Sequence, residues 1–549
     1  MMHGNIANML FLFKKRFGFL LSFVVLALVG LVNIWHSHLL PFTDLPNHLL
    51  EAYILQGHLP SDYGMNMFWY SPACLHAIFC ALFPNIEVGN KVFYSLYILL
   101  LPLIMILLIR ASHGEKWFGL LSFCFLYSYS VTWGFSSFTM GIALSLLTIY
   151  SYIGMLSAPS LLRFILLSCL LILTFYAHAI LFIFVSIVIG FCTLFLLDLP
   201  MKHRLLGVLS VFPSIIIFTF WLLNSDSWHS QQSTLAFLVR YYENDYIYSL
   251  PSRVFRLLTA DNTALANGYL GKAIALIWSI PLLLLLPSVL KNIFLNGYNY
   301  ICISPRPPKC FPTKTDHPLE PNSSTANARA VALVFFFVVA GCFTLLPDQI
   351  PGQWILFERF SVIIFLSLIW IGSFTLTSQN RIVMLRRPLQ SLFVLMVILS
   401  TVLWTDYFWH FRNDSSDFEH VLRDTPELQG KSLAAIIGDH TYRGRPVFFH
   451  FQNYHTLWNG GLVPTRAAEY RFRLITRKKD AEIPNYTVWM NKRPDIRNLI
   501  RKYEGMNFLL VRGSNVITIV EECGEYNMRS RKNGWFLFRR IGDKKAIGG

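Results

Sequence analysis

Residues 43–58, TDLPNHLLEAYILQGH, follow directly on the first long apolar segment of the chain. Read as a helix with an acidic N-cap and a proline in its first turn, this stretch places four polar groups at i, i+3, i+4 and i+7. They belong to Asp44, Asn47, His48 and Glu51. Apolar side chains take another side, so the pattern predicts a helix in a membrane interface with its polar face toward water. A reactive site at a bilayer surface would have this geometry.

The composition excludes an ordinary soluble protein. Of the 549 residues, 54% are hydrophobic and only 14% are charged, and the mean hydropathy is +0.48. Apolar runs of the length needed to cross a bilayer, about 17 to 25 residues, number about eleven. They lie at 17–35, 92–109, 117–133, 137–158, 161–177, 179–197, 205–223, 273–290, 330–346, 360–378 and 388–404. The sequence therefore predicts a mainly α, polytopic membrane helix bundle.

The net charge of +16 is placed as in a membrane protein, which argues against a nucleic-acid partner. Lysine and arginine collect in alternate connections such as 291–329, whereas 36–90 contains neither. Because basic residues favour the cytoplasmic side, we predict a cytoplasmic N-terminus and connection 291–329, with 36–90 and 224–268 as outer loops. The run at 1–35 is read as a retained anchor, and 68–84 as a second in-plane or re-entrant helix.

The chain changes character near residue 410. Residues 406–549 carry 24 Lys and Arg residues against 16 Asp and Glu residues, and short strand-like runs alternate with helix-like stretches. We predict a transmembrane domain at 1–409 and a small α/β domain at 410–549, which is extracytoplasmic because the number of spans is odd. Its basic surface is either a plain solvated face or a means of attachment to anionic headgroups.

Two candidate site residues lie at predicted outer helix ends. His178 falls at the break between two spans, and is either hydrogen-bonded between helices or a contact for phosphate. Arg359 enters a later span directly after Glu358. Either the two charges neutralise each other, or the arginine faces the outer cavity.

The loop 224–268 adds arginines among aromatic residues. Arg240 and Arg256 lie near Trp228 and Tyr241. A guanidinium group matches phosphate, and aromatic rings stack on sugar faces. The loop is thus either an interfacial aromatic belt or part of a site for an anionic headgroup and a sugar.

The familiar signatures of other activities are missing from the sequence. There is no P-loop, GxSxG, HExxH or CxxC pattern, so ATP-driven transport and the common hydrolase chemistries lack support. Most of the nine cysteines lie in apolar runs, and the spacing of Cys302 and Cys310 is poor for zinc. The missing phosphate-binding motifs are compatible with an enzyme whose sugar donor is lipid-linked, because such an enzyme needs no nucleotide site.

Transfer of a sugar from a lipid phosphate to a hydroxyl needs a base, worth ~100-fold to 10,000-fold in rate. It also needs cations at the leaving phosphate and an apolar groove for the lipid. The candidate base is Asp44, with Glu51 as second choice. The candidate phosphate contacts are Arg359, Arg240, Arg256 and His178, and the candidate acceptor or sugar contacts are Asn47, His48, Trp228 and Tyr241.

Several local stretches resemble bacterial membrane proteins of the GT-C superfamily of polyprenyl-phosphate-sugar-dependent glycosyltransferases. These stretches are FTDLPNHLLEAYIL at 42–55, WGFSSFTMGIAL at 133–144, FYAHAILF at 175–182 and GQWILFERF at 352–360. The resemblance covers the membrane part, 10–410, and extends to the number of spans and the C-terminal domain. It implies an inverting transfer in the bacterial inner membrane with Asp44 as catalytic base. The implied partners are a lipid-linked sugar donor, membrane lipids and a glycolipid, polysaccharide or protein acceptor.

The sequence departs from this family at one point. Many members carry two adjacent acidic residues in the first loop, whereas Asp44 is followed by Leu45. A divalent ion held by Asp44, His48 and Glu51 is an alternative that this departure leaves open.

Two functions of other classes remain open. A transporter or flippase of lipid-linked glycans is one, although such proteins tend to contain repeats and charges deep within spans. A noncatalytic assembly protein that binds through its basic C-terminal domain is the other.

Overall fold

The structure is a computed structural model and describes residues 2–58, 63–65, 71–196, 199–224, 236–243, 245–259, 323–350, 353–375, 383–464, 475–477, 496–503 and 505–541. Its helices are α1 (Met2–His36), α2 (Leu45–Leu55), α3 (Leu75–Ala81), α4 (Ile86–Ala111), α5 (Tyr129–Thr132), α6 (Ser136–Ser157), α7 (Leu161–Ala177), α8 (Ala179–Phe191), α9 (Met201–Asn224), α10 (236–243), α11 (Tyr246–Thr259), α12 (Ser323–Leu345), α13 (Ser361–Thr375), α14 (Val383–Arg423), α15 (Tyr454–Asn459), α16 (Ile496–Lys502) and α17 (Ser514–Cys523). Its strands are β1 (Tyr63–Met65), β2 (Gln349–Ile350), β3 (Gln353–Trp354), β4 (Leu433–Ile437), β5 (Ile475–Arg477), β6 (Phe508–Arg512), β7 (Tyr526–Lys532) and β8 (Trp535–Arg540).

The membrane part is a helix bundle. Seven stretches of the described helices are long and apolar enough to cross a membrane: Phe17–His36, Ile86–Ala111, Ser136–Ser157, Met201–Asn224, Ser324–Leu345, Glu358–Thr375 and Gln390–Arg423. Two shorter apolar helices are Leu161–Ala177 and Ala179–Phe195. The prediction of a mainly α, polytopic integral membrane protein is confirmed. The predicted span 273–290 and most of the connection 291–329 lie outside the described residues.

The predicted span at 117–133 differs from a regular α-helix. It begins as the ten-residue 3-10 helix Lys116–Phe125 and continues into the short helix α5. A 3-10 helix rises about 2.0 Å per residue, so ten residues extend about 20 Å. The segment is crowded by α4, because a Cβ on Gly119 would clash with the side chain of Ile106. The narrower 3-10 helix fits this position.

Helix α13 lies at the centre of the bundle. All of its residues are buried, and the indole N–H of Trp370 donates to Ser112 Oγ at 2.7 Å. By contrast, α1, α9 and α14 expose many large apolar side chains. These exposed faces form the surface that lipid tails would cover.

The connections predicted as extracytoplasmic meet at one end of the bundle. Thr43 N–H donates to the carbonyl of Thr132 at 3.1 Å, and Cys74 N–H donates to the carbonyl of Tyr176 at 3.1 Å. At the opposite end, Arg329 Nε donates to the carbonyl of Ser112 at 3.1 Å. We call the end that contains Thr43 the site end.

The C-terminal part contains a four-stranded sheet of order β4-β6-β8-β7. Strands β4 and β6 are parallel, with Leu433 opposite Phe508, and the other pairs are antiparallel. Strand β5 lies outside this sheet and pairs with β1 of the first loop. Helix α14 runs through the predicted domain boundary at 409/410 to Arg423, so the division at that point stays a prediction.

Candidate functional site

Asp44 is the N-cap residue of α2, as the sequence predicts. Its side chain makes no capping hydrogen bond, while its backbone N–H donates to the carbonyl of Trp133 at 2.9 Å. The next residue, Gly134, has φ +77°, and a Cβ there would lie 2.7 Å from the backbone nitrogens of Asp44 and Leu45. Glycine at 134 therefore permits the close approach that fixes the start of α2.

The carboxylate of Asp44 faces a histidine of the C-terminal part. His450 Nε2 lies 3.2 Å from Asp44 Oδ1, and the Asp44 side chain keeps 20% of its exposure. His450 belongs to the 3-10 helix Val447–Asn453. Two further contacts dock this region. Asn453 Nδ2 donates to Asn47 Oδ1 at 2.6 Å, and the Arg445 guanidinium donates to the hydroxyl of Thr132.

The polar face of α2 is buried, which corrects the expectation that it faces water. Asn47, His48 and Glu51 are 2%, 9% and 3% exposed. Helix α3 and the 3-10 helix Val447–Asn453 pack against α2 and cover this face. The polar groups pair within the protein, and Glu51 Oε2 lies 3.4 Å from His48 Nδ1.

A second buried imidazole lies beside His48. The ring centroid of His76 on α3 is 5.8 Å from that of His48, and His76 Nε2 lies 2.9 Å from Asn90 Oδ1. Burial, together with the nearby His48, lowers the pKa of His76 to about 3. The ring is therefore neutral near pH 7. At about 10 Å, α3 is too short to cross a bilayer, in agreement with an in-plane segment.

The side chains named as a hypothetical metal set are divided between two contacts. Asp44 faces His450, whereas His48 and Glu51 face each other. Within the described ranges, no three His, Cys, Asp or Glu side chains are grouped so that they could hold a metal ion. A metal role for these residues stays a prediction.

Arg359 and His178 come together at the site end. His178 ends α7 and begins α8 in an extended conformation, so its ring lies at the predicted helix break. Arg359 Nη1 lies 3.3 Å from His178 Nε2, and Ile180 N–H lies 3.3 Å from His178 Nδ1. Both Arg359 and His178 are 8% exposed.

These two contacts compete for the same imidazole. A neutral imidazole has only one acceptor nitrogen, so it cannot accept from both neighbours. When Nδ1 accepts from Ile180, the proton is on Nε2 and points toward Arg359, which can only donate. Two donors then converge, and an anionic oxygen could accept from both.

An aromatic segment links the two parts of the site. The Arg359 guanidinium carbon lies 3.9 Å from the ring centroid of Phe135. That ring stacks against Trp133 with centroids 6.2 Å apart. Because the carbonyl of Trp133 accepts from the backbone N–H of Asp44, the stretch WGF at 133–135 connects the backbone at Asp44 to the guanidinium of Arg359.

The remaining predicted phosphate contacts differ in their surroundings. Arg256 Nη1 lies 2.8 Å from Oε1 of the buried Glu358, so this glutamate pairs with Arg256. Arg359, its chain neighbour, instead contacts His178 and Phe135. Arg240 lies exposed on α10.

The two predicted aromatic sugar contacts are not brought to Asp44 by the described contacts. Tyr241 is buried, and its hydroxyl accepts from Arg253. The guanidinium of Arg253 also donates to three carbonyl groups at the end of α12. Tyr241 therefore helps to fasten α10 and α11 to the bundle. Trp228 lies outside the described residues.

Sequence reasoning missed the residues of the C-terminal part that reach the site. His450, Arg445 and Asn453 lie in HTYRGRPVFFHFQN, residues 440–453. Asn453 is 406 residues from its partner Asn47. Histidine and arginine among aromatic residues are the available signal, but no linear spacing pairs them with the first loop.

The fold and the site together define a class: an integral membrane helix bundle with a carboxylate and an Arg–His pair at one end, covered by residues of a C-terminal α/β part. No protein-family model and no curated protein matches the sequence. The fold is similar to the crystal structure of ArnT from Cupriavidus metallidurans bound to undecaprenyl phosphate. The TM-score is 0.52 at 11% identity, over 96% of this chain and 98% of that one. The predicted polytopic fold is therefore shared with this structure, and the likeness shows the fold alone.

Proposed function

We propose that this protein is an integral-membrane glycosyltransferase that uses a polyprenyl-phosphate sugar donor. The sugar is transferred, with inversion, to a hydroxyl group of an extracytoplasmic glycolipid, polysaccharide or protein. The observation that carries the proposal is the arrangement at the site end, where one aromatic stretch joins a partly exposed carboxylate to an Arg–His pair. The solved relative ArnT, which shares the fold, was crystallised with undecaprenyl phosphate.

The Arg–His pair suits the leaving group of this reaction. A polyprenyl phosphate gains charge on its oxygens as the bond to the sugar breaks. Arg359 supplies a permanent positive charge. In the tautomer in which Nδ1 accepts from Ile180, His178 Nε2–H is a second donor, and a phosphate oxygen that approaches beside the pair would accept from both. This pair is a better candidate than Arg240, which lies exposed on α10.

Asp44 suits the role of general base. Its side chain is 20% exposed, whereas that of Glu51 is only 4% exposed and faces His48. In the proposed step, Asp44 Oδ2 takes the proton of the acceptor hydroxyl while that oxygen bonds to the anomeric carbon. The bond from the anomeric carbon to the phosphate oxygen breaks on the opposite face, and its electron pair leaves with the polyprenyl phosphate.

The proposed orientation follows from the charge pattern. The site end would face away from the cytoplasm across the bacterial inner membrane, with the N-terminus on the cytoplasmic side. The hydrophobic outer faces of α1, α9 and α14 would contact membrane lipids. The acceptor would then approach from the extracytoplasmic space.

The test is sugar transfer in proteoliposomes supplied with radiolabelled polyprenyl-phosphate sugars and an envelope extract as acceptor. Asp44→Asn should lower kcat by ~100-fold to 10,000-fold, because it removes the base and keeps the shape. Glu51→Gln is the matched control and should stay within about tenfold, since it changes a carboxyl that faces a histidine. Thermal unfolding in detergent checks that both variants are folded.

Two results would contradict the assignment. Full transfer by Asp44→Asn would remove this residue as the base. Movement of the labelled lipid across sealed vesicles, with no release of polyprenyl phosphate, would favour the flippase instead.

A further inference from the structure

The strongest unassigned feature at the site is His450. It is 7% exposed, and it comes from a stretch of chain that lies beyond the last membrane span. Its Nε2 lies 3.2 Å from Asp44 Oδ1, at the long end of the hydrogen-bonding range. Its Nδ1 is buried, and no hydrogen-bond partner for it occurs among the described residues.

The surroundings of the two ring nitrogens decide which nitrogen carries the proton. A buried N–H without an acceptor costs more than a buried N–H that faces a carboxylate. The tautomer that these contacts favour therefore carries its proton on Nε2, and Nδ1 is left without one. In this tautomer, His450 donates to Asp44 Oδ1.

We propose that His450 is a positioning residue for Asp44, so that the C-terminal part completes the catalytic site. This inference rests on the proposed function of Asp44. The imidazole holds one carboxylate oxygen and thereby aims the other at the acceptor hydroxyl. A hydrogen bond to a carboxylate also favours its ionised form, which is the form that a general base requires.

The surroundings hold His450 in place. Its ring meets that of Phe449 edge to face, with centroids 4.7 Å apart. On one side, Arg445 docks on Thr132, and on the other, Asn453 docks on Asn47. The segment 440–453 is thus fastened to both chain stretches that flank Asp44, so the imidazole is carried by a docked element.

The experiment compares His450→Leu, which has no donor, with His450→Gln, whose amide N–H can replace Nε2–H. His450→Leu should lower kcat roughly 10-fold to 100-fold, the effect of losing one hydrogen bond to a charged group. The KM for the lipid-linked donor should change by less than about twofold, because His450 faces the base. His450→Gln should recover most of the loss.

The pH dependence separates positioning from packing. A carboxylate that loses a donor is harder to ionise, so the acid limb of the pH–rate profile of His450→Leu should move to higher pH. Asn453→Leu weakens a docking contact but keeps the imidazole, so its acid limb should move less than that of His450→Leu. The exposed His420 supplies a second control, and His420→Leu should match the wild type.

An infrared titration of Asp44, taken as the difference between wild type and Asp44→Asn, gives a readout that needs no activity. The carboxyl band should titrate at higher pH in His450→Leu than in the wild type. Unchanged titration in that variant, or equal losses in the Leu and Gln variants with an unmoved acid limb, would overturn the inference. A shifted titration in a protein that transfers no sugar would overturn the proposed function alone.

Discussion

The Arg359 end and the Asp44 end of the site are held by different parts of the molecule. Arg359 meets His178 through helix ends of the membrane bundle. Asp44 meets His450, which belongs to a segment that follows the last span. The Arg359–His178 pair is therefore a product of the membrane fold, whereas the surroundings of the carboxylate depend on a second unit docking correctly. We therefore expect substitutions at the two ends of the site to have different effects on the kinetic constants.

The largest difference is expected between Arg359 and Asp44. Arg359→Gln should raise the KM for the lipid-linked donor and also lower kcat, each roughly 10-fold to 100-fold, because the guanidinium would bind the donor phosphate and stabilise the charge that grows on it as the bond breaks. The base variant Asp44→Asn should instead lower kcat and leave the donor KM nearly unchanged. Initial rates over a range of donor concentrations measure both.

Arg539→Gln is the matched control for this experiment. Arg539 pairs with Glu427 at 3.1 Å on the C-terminal sheet, and the glutamate side chain is 50% exposed. Exposed pairs contribute little, so the donor KM should stay at the wild-type value. An unchanged donor KM together with an unchanged kcat in Arg359→Gln would break the comparison, because it would remove Arg359 from the phosphate site.

A smaller effect on the transfer rate is expected at Gly134, in the stretch 133–135 that joins the two ends of the site. Gly134→Ala should destabilise the protein by about 1 to 3 kcal/mol, because the backbone has a positive φ and a Cβ would press on the start of α2. The transfer rate should fall about tenfold as Asp44 shifts. Thermal unfolding and initial rates in the same detergent test both statements.

Gly154→Ala is the control, since nothing lies within 4 Å of a Cβ at that helical position. It should keep both stability and rate. An equally stable and active Gly134→Ala would mean that the close approach of 133–135 to Asp44 is not needed.

The smallest expected effect is on the pH dependence of the stability, and it comes from His455 in the C-terminal part. Burial lowers the pKa of His455 to about 4, and its Nε2 donates to the carbonyl of Lys431 at 2.7 Å. Between about pH 6.5 and 4 the unfolded chain binds a proton at this residue and the folded chain does not. Stability from His455 is therefore present above pH 6.5 and is lost as the pH falls, by at most about 1.4 kcal/mol per pH unit.

Unfolding of wild type and His455→Gln at several pH values measures this dependence. The variant keeps a donor for Lys431 but cannot titrate, so its stability should fall less steeply below pH 6.5. Equal slopes would show that His455 does not contribute to the acid sensitivity.

Much of the fold could be predicted because membrane spans are local features. Apolar runs marked most of the described membrane helices, although α14 continues well beyond the run 388–404 to Arg423. The break at His178 followed from a run too long for one crossing. The 3-10 helix at Lys116–Phe125 could not be predicted, because its geometry depends on close packing against Ile106 and other neighbours. Hydropathy alone does not distinguish it from an α-helix.

The candidate site divides in the same way. Asp44, His178 and Arg359 could be singled out, because ionisable residues are rare in membrane segments and those at helix ends on one side of a bundle face the same surface. The burial of Asn47 and Glu51 could not be predicted, since the 3-10 helix Val447–Asn453, which helps to cover them, comes from a distant part of the chain.

The sequence by itself determined that this is a polytopic membrane protein, which helix ends share a side, and where an N-cap carboxylate begins α2. These properties depend on runs of neighbouring residues and on the cost of placing charge in lipid. Only the tertiary structure decided that His450 faces Asp44 and that the polar side of α2 is enclosed. Such contacts join residues about 400 positions apart, and they form only when the C-terminal part docks on the first loop.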